Sequence, residues 1–567
     1  MRVKFVFLFL TASLLVLFLE PAQAQQIGNK FGIHLARPDM QELEKAEKLV
    51  NSSGGQWGYV TVVMQENERD TSLWQGFFEE MRRRRIIPII RIATSIKQDY
   101  WRRPLQEEAE EWADFLDSLN WVVKKRYVVL FNEPNHAAEW GGEVDPKDYA
   151  KAALSFATAL KTKSKDFFIM PAGLDLAAPH KPPLYYDAEL FIREFLDEVG
   201  IENFEKFFDG WASHSYPNPA FSASVYKTGR MSVQGYSWEL DLLKRLGVKK
   251  DLPVFITETG WSRGVLDESV IGSYFLYAYE NIWLPDTRVI AVTPFILTYK
   301  TPPFQRFSWE KPEGGFYSFF DTVASIEKES VEPDIIDKAE IKAVVGKRLS
   351  SFSSYQFRIL LTNTGQRIWR QGEYTLTLES EDESALQEIE YEFGGIGYLE
   401  PFEEIDVPLF FKTSLPGRDY KLYILVRRGG QEITRTSIWD LEVMPAPDLR
   451  FSLRLFPKIK KPDTEVEIQV FDDKDALVFR KKSVKVRAGE GYINQVLNVQ
   501  IDKRYRIVVL KDFYLPRQRF LIFKQEGNNV SFKSLLPFDT DKDGNLDLSD
   551  LKQAFFKPSV LLNFLPF

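Results

Sequence analysis

Two short stretches of this 567-residue chain place acidic side chains where they could do chemistry. Leu130-Phe-Asn-Glu-Pro-Asn-His136 sets Asn132 and Glu133 directly after an apolar run, and Phe255-Ile-Thr-Glu-Thr-Gly-Trp261 sets Glu258 at the end of another. Pro134 has no N–H to give a sheet ladder, so the first run ends there and a loop begins. Two carboxyl groups facing each other over a bound sugar are what cleavage of a glycosidic bond requires. One protonates the leaving oxygen, and the other attacks the anomeric carbon or activates a water. Each motif alone reads equally well as a strand end and turn; the chemistry needs the two to meet.

The elements that must bring them together alternate from Phe31 to about Phe320. Strand candidates are Phe31–His34, Tyr59–Val63, Ile86–Arg91, Tyr127–Phe131, Phe167–Met170, Phe207–Trp211, Val254–Thr257 and Val289–Val292. Amphipathic segments such as Leu105–Val123, Pro146–Thr162 and Tyr236–Leu246 lie between them. Eight strands each followed by a helical pattern fit a (β/α)8 TIM barrel in size and rhythm. An open doubly wound sheet would be expected to carry a glycine-rich phosphate loop after an early strand, and the sequence has none. In a barrel, side chains at the carboxyl ends of strands four and seven face one another across the mouth.

With Asn-Glu-Pro after the fourth strand and a Glu after the seventh, residues 28 to 320 resemble the clan of retaining TIM-barrel glycoside hydrolases that includes the family 5 cellulases and mannanases and the family 39 glycosidases. The resemblance implies that Glu133 is the general acid/base and Glu258 the nucleophile, acting on a β-linked polysaccharide or oligosaccharide. Their carboxyl groups should then lie ~5–5.5 Å apart. Glu133 should have a raised pKa and Glu258 should stay ionised. By the same resemblance Asn132 would hydrogen-bond the sugar 2-hydroxyl, and His214 and Tyr216 match a His-x-Tyr pair near the nucleophile, with Tyr216 donating to Glu258. The sequence departs from the clan at two points. The best arginine, Arg91, ends the third strand instead of the second, and no Trp follows the eighth strand directly, where Phe295 and Tyr299 stand instead.

Four histidines are present, all inside this region. His34 closes the first strand candidate, His136 follows Glu133 closely and would tune the acid or bind substrate, and His180 reads as a loop residue. Trp140, Trp211 and Trp261 follow strand ends and are the candidates for stacking on sugar rings. A catalytically silent, sugar-binding or cell-surface adhesion protein is the alternative reading.

After about Ser325 the period changes from helical to two-residue alternation. Residues 333–445 resemble the immunoglobulin-like sandwich of autophagy cargo receptors and many bacterial secreted proteins, on Leu361–Trp369 and Pro416–Tyr420. Residues 448–534 read as a second β-sandwich, and Met444-Pro-Ala-Pro-Asp448 as the linker. The last module, 537–567, holds an EF-hand-type loop with Asp539, Asp541, Asp543, Asn545, Asp547 and Asp550 at positions 1, 3, 5, 7, 9 and 12. Gly544 falls at position 6, where the chain must turn, and the spacing implies a structural Ca²⁺. Leu546 at position 8 would anchor the loop to a core. An Asp at position 12 resembles dockerins, which implies a cohesin-like partner, although dockerins carry two such loops and only one is found here.

The composition sets the outer limits. There is no cysteine, so disulfides, thiolate metal sites and a cysteine nucleophile are excluded. A net charge of −8 with both signs mixed along the chain argues against a nucleic-acid partner. Arg2 and Lys4, the apolar run Phe5–Leu19 and Ala22-Gln23-Ala24 read as a 24-residue export signal, with an uncleaved anchor as the alternative. The catalytic region would then be 25–325, in a protein secreted or held at the cell surface.

Overall fold

The computed structural model describes residues 28–556, apart from residues 415 and 459 and the side chains of residues 383 and 385. The export signal and residues 557–567 of the last module lie outside the described residues. The chain divides into two units, with the boundary between Ile336 and Asp337. No helix among the described residues is long and apolar enough to cross a membrane.

The first unit is built on eight parallel strands: β1 (Gly32–Leu35), β2 (Gly58–Gln65), β3 (Ile86–Ala93), β4 (Arg126–Leu130), β5 (Phe167–Pro171), β6 (Trp211–His214), β7 (Val254–Glu258) and β8 (Val289–Val292). They form a five-stranded sheet in the order β1-β2-β3-β4-β5 and a three-stranded sheet in the order β8-β7-β6. Two single parallel bridges link the sheets, Phe31 with Val292 and Asp175 with His214. The strands therefore follow one another in cyclic order. Helices separate them, several started by an Asp whose carboxylate accepts from the first free amides: Asp39 before Met40–Val50, Asp70 before Thr71–Arg83, Asp145 before Pro146–Lys163 and Asp187 before Ala188–Val199. Strands covered on both faces read as near-continuous apolar runs. β3, Ile-Ile-Pro-Ile-Ile-Arg-Ile-Ala, is buried throughout, so the one charge in it must find a partner.

The sixth strand candidate is displaced. Phe207 ends the helix Ile201–Phe207, and the strand begins at Trp211, four residues later than the apolar run predicts. A short run such as Phe207-Phe208 fits a helix end as well as a strand. Gly210 sets the true start: a Cβ there would lie 2.7 Å from the Phe168 ring and 2.9 Å from the carbonyl of Pro253. The shift makes Trp211 the first residue of β6, where it is fully buried and closed to any ligand.

In the second unit, two sheets share one core. Ala339–Val344, Ser354–Asn363, Glu404–Lys412 and Glu390–Phe393 form one of them. Arg348–Ser350, Trp439–Met444, Arg418–Arg428 and Tyr374–Ser380 form the other. Trp369 lies at the centre, stacked on Tyr374 with ring centroids 4.2 Å apart. Beyond Leu449 the alternating strands join one continuous eight-stranded ladder, where two separate sheets were expected, around a core that includes Phe451, Ile468, Val470 and Ile507.

Candidate active site

A cavity of about 490 Å³ opens at the carboxyl ends of the strands of the first unit. Glu258 is the last residue of β7 and is nearly buried. A register shift between β6 and β7 brings His214 opposite Glu258. Both Glu258 oxygens are engaged: Oε1 accepts from Arg91 Nη1, and Oε2 accepts from the Tyr216 hydroxyl at 3.0 Å. Burial alone would raise this carboxyl, but the charges of His214 and Arg91 hold it at about 2. Arg91 is the single charge of β3, and a buried cation needs a paired anion. It therefore reaches its carboxylate from the third strand, with Nη1 also donating to Asn132 Oδ1 at 2.7 Å.

Glu133 follows β4 on a strained turn. Phe131 and Glu133 both have positive φ, +72° and +28°, conformations that cost about 1–3 kcal/mol each and tend to gather at functional sites. The turn is pinned by the Glu133 amide, which donates to the carbonyl of Gly173 at 3.1 Å. The side chain meets His214: Nδ1 lies 2.8 Å from Glu133 Oε1 and 3.9 Å from Glu258 Oε2. One oxygen each of Glu133 and Glu258, with a His214 ring nitrogen, fall within 4.8 Å of one another.

His214 does not line the cavity as a sugar-binding residue would; it lies buried behind the two carboxylates. Burial lowers its affinity for a proton, but the two flanking carboxylates outweigh burial and raise it. The ring fits because residue 173 is glycine. A Cβ there would lie 2.2 Å from His214 Cδ2. His34 does line the cavity, with its ring edge-on to Phe295 and Nε2 3.8 Å from Glu258 Oε1. Burial and then Arg91 push it down to about 3, so it is uncharged at neutral pH. His136 also lines the cavity and is tied to Asp175 through Nε2 at 2.8 Å. His180 is exposed and packs against Tyr186.

Of the tryptophan candidates, Trp140 lines the cavity, whereas Trp211 and Trp261 do not. Trp140 is 1 % exposed, packs on Phe131 and Tyr149, and donates to Asp148. Trp261 is 3 % exposed against Tyr274 and Phe275 and donates to the carbonyl of Ala223. The aromatic wall of the cavity is shared by Trp140, by the half-buried Trp101, by Phe221 after β6 and by Phe295, Tyr299, Phe304 and Phe307 after β8. Sequence reasoning also missed Glu139, which faces the cavity six residues after Glu133. Burial, reinforced by the charge of Glu133, lifts its carboxyl to about 7.

At the end of the second unit, Asp539, Asp541 and Asp543 each bring one carboxylate oxygen within 4.8 Å of the others. Asp550 turns both oxygens to backbone amides, Oδ1 to Thr540 at 2.7 Å and Oδ2 to Asp547 at 2.9 Å, and so ties the loop to its helix. Asn545 Nδ2 faces Asp543, and Asp547 accepts from Ser549. Leu546 is 59 % exposed and does not anchor the loop to a core.

No family model and no curated relative matches the chain. Among solved structures, it is similar to a β-mannanase from Thermomonospora fusca at 14% identity, covering 53% of this chain and 92% of that one, with a TM-score of 0.35. It is also similar to a Cellulomonas fimi endo-β-1,4-mannanase double mutant at 10% identity, over 73% and 94% of the two chains, with a TM-score of 0.34. A Paenibacillus polymyxa family 44 xyloglucanase follows at 8% identity, over 78% and 84%, with a TM-score of 0.32. At these values the likeness decides neither fold nor function, which rest on the site itself.

Proposed function

We propose that the first unit is a (β/α)8 barrel that hydrolyses a β-linked glycan with retention, by double displacement between Glu258 and Glu133. The observation that carries this reading is the approach of one oxygen of Glu133 and one of Glu258 to within 4.8 Å of each other, with Glu258 held ionised by His214 and Arg91. An ionised carboxylate facing a second carboxyl at short range suits attack on an anomeric carbon; an inverting pair needs ~6.5–9.5 Å to admit a water.

In the first step a Glu258 oxygen bonds to the anomeric carbon while Glu133 gives its proton to the leaving oxygen, and the glycosidic C–O bond breaks. In the second step Glu133 takes a proton from a water, whose oxygen displaces Glu258 and regenerates both groups. Arg91 and Tyr216 hold Glu258 in line. Asn132, oriented by Arg91, is positioned to donate its amide N–H to the sugar 2-hydroxyl. The Phe295, Tyr299 and Phe304 wall supplies a stacking face for the ring.

The protein is read as exported. Its C-terminal loop is read as a structural Ca²⁺ site held by Asp539, Asp541 and Asp543, which would brace the helix Leu548–Phe556; a cohesin-like partner is an alternative use of that helix. Release of chromophore from a panel of aryl β-glycosides tests the enzymatic reading. Turnover should fall roughly 10³-fold or more in Glu258→Gln. Binding without turnover by the wild type across the panel would instead return the silent, sugar-binding reading.

A further inference from the structure

The second unit holds a cavity of a different character. It measures about 390 Å³, within the range of small-ligand sites (about 300–1,000 Å³). Four lysines line it: Lys458 and Lys511, half-buried, and Lys460 and Lys461, exposed. None of the four ammonium groups makes a hydrogen bond or an ion pair among the described residues. Each of the two carboxylates on the same wall also has a partner of its own. Asp463 accepts from the amide of Ala488 at 2.6 Å, and Asp512 pairs with Lys542 at 3.0 Å.

Lysines lining one concavity repel where their ammonium groups approach, as Lys458 and Lys511 do, and an anion between them relieves this. Burial, with repulsion from Lys458 added to it, makes Lys511 a weaker base than an ordinary lysine, although Asp512 and Glu465 pull the other way. The surroundings share the sign. From Asp448 to Leu536 the chain has 19 Lys and Arg against 11 Asp and Glu, whereas the whole chain has 73 against 81.

We propose that this cavity binds an anionic polysaccharide, through carboxylate or sulfate groups carried on neighbouring sugar units. Separate lysines spread over floor and rim suit several anionic groups on one chain better than a single phosphate. The cavity is independent of the Glu133–Glu258 cleft, so it stands or falls without the hydrolytic reading.

Affinity electrophoresis and calorimetry on the full chain test it, with polygalacturonate and a sulfated glycan as probes and neutral mannan, inorganic phosphate and a single-stranded oligonucleotide as comparisons. Binding of the two anionic glycans is expected, weakening as salt rises. Lys458→Glu with Lys511→Glu should weaken it at least tenfold, as should the exposed pair Lys460→Glu with Lys461→Glu. Lys485→Glu, on the exposed face of the strand Leu477–Arg487, should leave it unchanged. An equal loss in Lys485→Glu would mean a diffuse basic surface and overturn the site. Phosphate or the oligonucleotide binding as tightly as the glycans, or no binding of any anionic glycan, would overturn the ligand class.

Discussion

His214 presents Nδ1 to Glu133 Oε1 at 2.8 Å from a position with no access to solvent. The two groups are thus within hydrogen-bond reach, and when protonated His214 also acts on Glu258 through its charge. His214 should titrate above its ordinary value of 6.5, and His34 should stay neutral down to about pH 3. Because the folded pKa of His214 is raised, its contribution to stability is complete below pH 6.5 and is lost as pH climbs through the raised value. With four histidines in the chain, imidazole NMR resolves both titrations. A His214 that titrates below 6.5 would contradict this electrostatic account.

Arg91 shares with His214 the task of holding Glu258 ionised. With its carboxyl depressed to about 2, Glu258 stabilises the fold above its ordinary value of 4.5, and that contribution is lost as pH falls from 4.5 toward 2. Arg91→Met leaves a buried carboxylate without its cation and should cost about 3–5 kcal/mol. Glu258 then takes up a proton at higher pH, so the acid limb of kcat/KM should move upward. Thermal unfolding across pH, read beside the rate profile, measures both effects.

Gly173 is expected to be as sensitive as a catalytic residue although it bears no side chain. A methyl group there collides with the His214 ring, so Gly173→Ala should displace the imidazole and lower kcat roughly tenfold or more, with a stability loss of about 1–3 kcal/mol. His214 NMR shifts should change in the same variant. An unaltered spectrum would show that the ring is not held by that contact.

The two glutamates were legible because each follows a strand that reads clearly as an apolar run and is closed by a turn signal: Leu130 and Pro134 for one, Thr257 and Gly260 for the other. The strand at Phe207–Trp211 was misplaced because two adjacent Phe residues carry no period. The tryptophans misled for a related reason. A large aromatic beside a strand end either faces the mouth or packs beneath it, and residue type does not separate the two; Trp211 and Trp261 pack, while Trp140 reaches the cavity lining. Gly173 gave no signal, since its importance depends on the distant His214 ring, and Glu139 gave none, since nothing in the short loop after Glu133 tells which side chain turns back into the cavity. Arg91 was found, and its reach from the third strand follows from the burial of β3.

The calcium reading predicts a separable effect. Chelation with EGTA, or Asp541→Ala, should lower the melting temperature of the second unit while leaving aryl β-glycoside turnover unchanged. Calcium should restore the transition in the wild type and fail to do so in the variant. An identical melt with and without calcium would remove the metal from the account.

The central claim is that Glu258 forms a bond to the sugar. Proton NMR of the first product released from an aryl β-glycoside, read before mutarotation, tests it most directly. The account predicts that the new hemiacetal appears first as the β anomer; an α anomer formed first would contradict it.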